Sequence, residues 1–124
     1  MKKLRAIDLY SGIGGWSLGL KLNGINVIHS YEWWIQAVET ANQNLKKQEE
    51  IQNIREMNFS ELKGQKIDIV VGSPPCTQFS YSNRGGSGDI EDGIIDLYQF
   101  FKCIEVVKPK FWVMENVPRV ANVL

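Results

Sequence analysis

The chain has 124 residues, 44% hydrophobic and 23% charged, which suits one ordinary globular core and excludes a disordered chain. Lys+Arg and Asp+Glu both number 14, so the domain carries no basic excess of the kind that grips nucleic acid. No apolar run approaches the ~18 residues of a membrane span. The basic N-terminus meets Asp8 before any signal-like apolar core forms, and two cysteines with one histidine suggest neither a disulfide framework nor a zinc site.

Residues 4–9 predict a first strand, which runs into Tyr10-Ser-Gly-Ile-Gly-Gly15 and a helix to about Leu22. Asn23-Gly24 supplies a left-handed stop. Strand, glycine turn and helix start suggest a nucleotide cradle, because glycines admit a ligand close to the backbone and a helix start offers free N–H groups. A tight turn with no ligand explains the same letters. The dinucleotide fingerprint fails, since Gly12 and Gly14 fit but Ser17 stands at its third glycine.

A second strand is predicted over 26–31, ending at Glu32. A carboxylate there either accepts from both ribose hydroxyls or sits at the positive end of the next helix. That helix is predicted over 33–47, with Trp34, Ala37, Val38, Ala41 and Leu45 on one apolar face. Trp34 then belongs to the core, and Trp33 points elsewhere, free to cover an adenine ring. His29 packs in or beside its strand and receives no role. Residues 51–57 hold a short third strand, with Asn53 at its ligand-facing end, and 58–64 form a turn or a single helical turn.

Ile67, Ile69, Val70 and Val71 make a short β-branched run, as in a strand covered on both faces. Gly72 ends it, and Pro74-Pro75 carries the chain stiffly away to Cys76. In open α/β sheets, ligands bind beyond the carboxyl ends of strands. A nucleophilic thiol and an inert packing thiol both remain open readings of Cys76 taken alone. Residues 81–89 are polar and glycine-rich, the composition of a functional loop. Asp92 is expected to cap the next helix, with Ile94, Leu97, Tyr98, Phe101 and Ile104 as its apolar stripe. Cys103 lies within that helix as a packing thiol. Pro109 stops it, and 111–114 form a last strand leading to Glu115-Asn116.

The pattern is α/β with a parallel sheet and right-handed crossovers. The glycine turn, Glu32, Cys76 and Glu115 all follow strands, so they are expected to gather on one sheet edge.

The motifs Asp8-Leu-Tyr-Ser-Gly-Ile-Gly-Gly15, Pro74-Pro-Cys-Thr-Gln-Phe-Ser80 and Glu115-Asn-Val117 resemble, in letters, order and spacing, those of C5-cytosine DNA methyltransferases. The resemblance covers essentially all of the chain but only the first part of such an enzyme's catalytic domain. It implies a Rossmann-like methyltransferase fold with S-adenosylmethionine as cofactor. The residues it assigns to the cofactor are Asp8, Tyr10, Ser11, Gly12, Ile13, Gly14, Gly15, Glu32, Trp33, Asn53, Ile54, Ser73, Pro74 and Leu97. It makes Cys76 the nucleophile and Glu115 its acid partner, with Asn116 expected to fix the turn that aims Glu115. Ser80 and Arg84 become candidate DNA contacts, on a lid running from Ser80 to Asp89. The expected partner is DNA with its cytosine flipped out, in a prokaryotic or phage-type cytoplasm, with no metal and no membrane. Two positions depart from the family. Thr77 stands where Gln usually follows the Cys, and Asn53 stands where the family usually has Asp for the adenine amino group. An amide there still offers an acceptor oxygen.

The family's later motifs and target-recognition region are not among these residues. Residues 1–124 are therefore expected to be the cofactor-binding and nucleophile-bearing part, working with a complementing C-terminal half. Two alternatives stand beside this reading: a tRNA-cytosine methyltransferase of the same family, and a non-catalytic S-adenosylmethionine-binding remnant.

Overall fold

The computed structural model describes residues 2–46, 49–80 and 89–124. Five parallel strands form one sheet: β1 (Arg5–Leu9), β2 (Asn26–Glu32), β3 (Glu50–Ile51), β4 (Ile69–Gly72) and β5 (Phe111–Met114), in the order β3-β2-β1-β4-β5. The helices are α1 (Gly15–Leu22), α2 (Ile35–Leu45) and α3 (Ile90–Val107), with short 3₁₀ turns at Ile54–Glu56, Ser60–Leu62 and Pro118–Asn122. The expected parallel α/β architecture is present.

The two central strands are the most deeply buried. In β1, Ala6, Ile7, Asp8 and Leu9 are each fully buried, and all four residues of β4 lie inside. One face of the sheet packs Ile7, Leu9 and Val70 against Phe100 and Cys103 of α3 and against Phe59 and Leu62 of the preceding turns. The other packs Ala6, Val27, Ile69 and Val71 against Trp16 and Leu20 of α1. Gly72, at the end of β4, and Gly93, near the start of α3, mark close approaches. A Cβ on Gly72 would meet the Leu9 carbonyl oxygen at 2.8 Å and the Phe100 ring at 2.9 Å. One on Gly93 would meet the Phe79 ring at 2.7 Å.

The structure corrects four local expectations. Trp34 is not core: it precedes α2 as its N-cap residue, with an extended backbone, and is 63% exposed. The buried face of α2 is Ala37, Val38, Ala41 and Leu45 only. The third strand is just Glu50–Ile51, and Asn53 caps a 3₁₀ turn beyond it. Asp89, not Asp92, caps α3, its side chain accepting from the Asp92 N–H at 3.1 Å. Finally, α3 buries Leu97, Phe100 and Cys103 while Ile94 and Tyr98 stay exposed. The buried polar residues Asp96 and Gln99 lie on the inner face and rotate it away from the simple apolar count. Gln99 Nε2 donates to the Ile54 and Met57 carbonyls at 2.6 and 3.1 Å, which ties α3 to the loop after β3.

A candidate active site on the carboxyl edge of the sheet

Strand register sets the site. Leu9 pairs with Tyr31 and Gly72, Glu32 with Ile51, and Gly72 with Met114. All five strands therefore end on one line. The glycine turn, Glu32-Trp33, Asn53, Ser73–Cys76 and Glu115-Asn116 emerge together along it, as parallel strands require.

The glycine turn is wound by left-handed residues: Tyr10 has φ 56°, Gly12 φ 57° and Gly14 φ 93°. Nothing lies within 4 Å of a Cβ built on Gly12 or Gly15, so this backbone is open to an approaching group. Ile13 at its tip is 63% exposed. Asp8 is fully buried beneath the turn, where Oδ2 accepts from the Ser17 hydroxyl at 2.7 Å. Ser17, at the fingerprint's absent glycine, thereby pins α1 to β1. Ser11 is also inside, its hydroxyl donating to the Tyr31 carbonyl at 3.3 Å.

Glu32 is engaged on both oxygens. Oε1 accepts from Gly12 N–H at 3.0 Å, and Oε2 from Trp33 and Trp34 N–H at 2.6 and 3.0 Å. The carboxylate thus joins the glycine turn to the start of α2, where an anion is favoured. A carboxylate offers about four accepting sites, so these three bonds leave one. Beside it lies a cleft of about 410 Å³ lined by Glu32, Trp33, Asn53, Ile54, Pro75 and Gln78, among others. Trp33 is 63% exposed at this cleft.

The thiol and the acid are tied to each other's loops. Pro74 is buried, and its carbonyl accepts from Asn116 Nδ2 at 3.1 Å. Asn116 Oδ1 takes the Val117 N–H at 2.8 Å, and Glu115 N–H donates to the Gly72 carbonyl at 3.0 Å. Asn116 therefore holds the turn that carries Glu115 against the turn that carries Cys76. Cys76 is half-buried, with its carbonyl closing a turn to Phe79 N–H at 2.9 Å, and Glu115 is exposed. Ser73 accepts from the Trp16 indole N–H at 2.9 Å, which anchors the start of the Pro-Pro segment.

Two residues assigned to the cofactor sit elsewhere. Leu97 is 3% exposed, packed with Phe79 and Val120. Tyr10 turns its hydroxyl to α3, donating to Asp96 at 3.1 Å, and burial and that carboxylate push its pKa up. Ser80 is half-buried at the end of the Pro-Pro-Cys segment, and Arg84 lies outside the described residues.

One feature is nearly silent in the sequence. Arg55 reaches Asp96 Oδ2 and Asp92 Oδ1, each at 2.7 Å, and Nε meets Asp96 Oδ1 at 3.1 Å. The two carboxylates hold the guanidinium firmly protonated, and Arg55 in turn keeps the Asp92 carboxyl below its usual range. This clamp joins the Asn53 loop to α3 along the cleft wall. Asp92 and Asp96, one helical turn apart, were its only signal. Among the described residues, no cluster of three or more His, Cys, Asp or Glu could hold a metal ion.

The fold is a parallel α/β sheet of Rossmann-like class, with a glycine turn, a carboxylate after β2, and a thiol and a carboxylate on tied loops along one edge. The chain belongs to the C-5 cytosine-specific DNA methylase family, whose family model matches residues 4–123. It is 36% identical to the type II methyltransferase M.HindV of Haemophilus influenzae, over 94% of this chain and 38% of that protein. It is 33% identical to the type II methyltransferase M1.HphI of Haemophilus parahaemolyticus, over 94% of this chain and 33% of that one. The chain thus spans between a third and two-fifths of these relatives' length. The structure of the Entamoeba histolytica methyltransferase EhMeth superposes with a TM-score of 0.78 over 98% of this chain and 40% of that one. At 19% identity that is a likeness of fold.

Proposed function

We propose that this chain is the cofactor-binding and nucleophile-bearing part of a DNA cytosine-5 methyltransferase, acting through a covalent adduct at Cys76. The observation that carries the reading is the bond from Asn116 Nδ2 to the Pro74 carbonyl at 3.1 Å, because it makes the thiol turn and the carboxylate turn one unit.

The open glycine turn, the accepting site left on Glu32 and the exposed Trp33 face suit an adenosyl group beside Asn53 and Ile54. S-adenosylmethionine, when bound, supplies an electrophilic methyl group. Carbon 5 of cytosine is too weak a nucleophile to take it unaided. The Cys76 thiolate adds to carbon 6, and electron density moves through the ring toward N3 and carbon 5. Glu115 shares a proton at N3 and so stabilises the charge that develops there. After methylation, loss of the carbon-5 proton expels the Cys76 sulfur and restores the aromatic ring. Neither carbon is reachable in a stacked duplex, so the base must be flipped out. Ser80 and Arg84 are proposed contacts to the nucleic acid.

The remaining portion of the enzyme, in the same or a separate polypeptide, is proposed to complete the cofactor pocket and the DNA grip. Two observations support this: the short span relative to M.HindV, and the bare apolar side chains of β5. The test combines this chain with a complementing C-terminal portion, S-adenosylmethionine and a duplex containing 5-fluorocytosine. A denaturation-resistant protein–DNA adduct, absent in Cys76→Ser, supports the mechanism. No adduct, with cofactor binding intact, leaves a non-catalytic module as the better reading. Parallel assays on DNA and tRNA decide the substrate class.

A further inference from the structure

We infer that Asn53 meets the cofactor's purine as a hydrogen-bond donor, so the cleft selects an edge that carries an acceptor and tolerates a 6-oxopurine in place of adenine. The inference rests on the cofactor reading above.

Asn53 caps the 3₁₀ turn Ile54–Glu56 with φ −78° and ψ 102°, and its side-chain oxygen accepts from the Arg55 backbone N–H at 3.2 Å. A backbone N–H can only donate, so the amide atom facing Arg55 is the oxygen; the two ends cannot be exchanged without breaking the cap. The amide is planar and rigid. With its oxygen directed to its own turn, its NH₂ group points along the other branch, and it makes no hydrogen bond with the described residues. Asn53 is half-buried and lines the cleft beside the exposed Trp33. The acceptor oxygen expected from the sequence is therefore turned to its own turn and already engaged, and the group of the amide left wholly unbonded among the described residues is the NH₂ donor. The neighbouring Arg55 does not duplicate it, because Nε, Nη1 and Nη2 all bond Asp92 or Asp96.

The consequence concerns base identity. Adenine offers N1 as an acceptor beside its amino donor. Hypoxanthine offers O6 as an acceptor beside its N1–H donor. A donor at residue 53 finds an acceptor on either base, at adjacent positions of the same edge. A carboxylate at the same place can only accept; it takes adenine's amino group and is repelled by O6. Asn53→Asp keeps the shape and the capping ability and reverses the polarity.

The experiment is calorimetric titration of the chain combined with a complementing C-terminal portion, wild type and Asn53→Asp, with S-adenosylhomocysteine and S-inosylhomocysteine. The wild type should bind the two with dissociation constants within about fivefold of each other. Asn53→Asp should widen the preference for the adenosyl compound by about tenfold or more, the size expected when a polar group is set against a mismatched partner. A wild-type preference as large as that of Asn53→Asp, or a ratio unchanged by the substitution, overturns the inference while leaving the cofactor reading intact. Failure of the wild type to bind either nucleoside overturns both. Unchanged thermal midpoints in the two proteins show that the comparison is of binding and not of folding.

Discussion

The two ends of the site are built differently. On the β1–β2 side, the loops satisfy one another: Glu32 takes three backbone N–H groups, Ser17 pins Asp8, and Arg55 clamps the Asn53 loop to α3. On the β4–β5 side, the loops that carry Cys76 and Glu115 are tied to each other, but the strand behind them is bare. Phe111, Trp112 and Val113 are 61%, 48% and 47% exposed, although β5 reads as the apolar interior of a sheet. The difference teaches that the two sides of the edge are unequally finished. The β1–β2 loops are held by contacts within this chain. The β4–β5 loops lie against a strand that needs cover.

The largest effect should come from the thiol. In a complemented enzyme, Cys76→Ser should abolish methyl transfer, while Cys103→Ser leaves it nearly intact, measured by transfer of a labelled methyl group to DNA. Position explains the contrast. Cys76 is half-buried on the ligand edge, whereas Cys103 is fully buried in α3, where burial pushes its pKa up to about 12. Equal activity in the two variants would remove Cys76 from the mechanism.

Next is Glu32, the centre of the better-finished side. Glu32→Ala removes a charge-assisted acceptor, and cofactor affinity should fall by about 1.5–3 kcal/mol in a calorimetric titration. Glu32→Gln should recover part of this, because one amide oxygen still accepts. Equal affinities in all three proteins would reduce Glu32 to a helix-start anchor.

Packing at the root of the catalytic loop can be probed independently of chemistry. Gly72→Ala would place a Cβ against the Leu9 carbonyl and the Phe100 ring, at 2.8 and 2.9 Å. It should cost about 1–3 kcal/mol in denaturant unfolding. Gly15→Ala, with nothing within 4 Å of its Cβ, should cost nothing.

Much of this was legible beforehand, for identifiable reasons. The strand–turn–helix alternation reports itself through β-branched runs and glycines, and parallel pairing then forces the loops onto one edge. The placing of Cys76, Glu115 and Asn116 on that edge is readable because each lies within a few residues of a strand's carboxyl end. What stayed hidden depends on side chains meeting across long sequence separations. Arg55 finds Asp92 and Asp96 only after α3 folds back over the sheet. Asn53 is expected from the sequence at the ligand-facing end of its strand, but the direction of its amide depends on a capping bond that composition does not encode. Trp34 was misread because periodicity counts residues and does not see where the first helical turn begins.

The bare edge carries a prediction of its own. Among the described residues β5 pairs only with β4, so its outer N–H and C=O groups and its apolar side chains form a template for association. The chain alone is expected to self-associate and to lack methylation activity. Val113→Lys should lower the self-association seen by sedimentation velocity while shifting stability by no more than about 0.5 kcal/mol. A wild-type chain that stays monomeric and methylates DNA unaided would contradict the contrast between the two sides.

The smallest effect should appear in acid, at the amino ends of the strands. Asp68 is buried, with Oδ2 accepting from the Arg5 N–H at 2.9 Å and Lys110 Nζ 3.4 Å from Oδ1. The Arg5 bond, with a smaller contribution from Lys110, holds its carboxyl below the usual range. A lowered folded pKa means that the unfolded chain binds the proton more readily. The stabilisation is therefore fully present above the ordinary carboxylate pKa of about 3.9 and is lost as pH falls through the lower folded value. Asp68→Asn keeps an acceptor for Arg5 but removes the titration. Wild type should be the more stable at neutral pH, and the gap should close below about pH 4, read from urea midpoints across pH. Because Asp68 lies at the opposite end of the sheet from Cys76 and Glu32, cofactor affinity should be unchanged in this variant. A loss of binding there would mean that the edge is coupled to the whole sheet, and the contrast between a finished and an unfinished side would no longer be local.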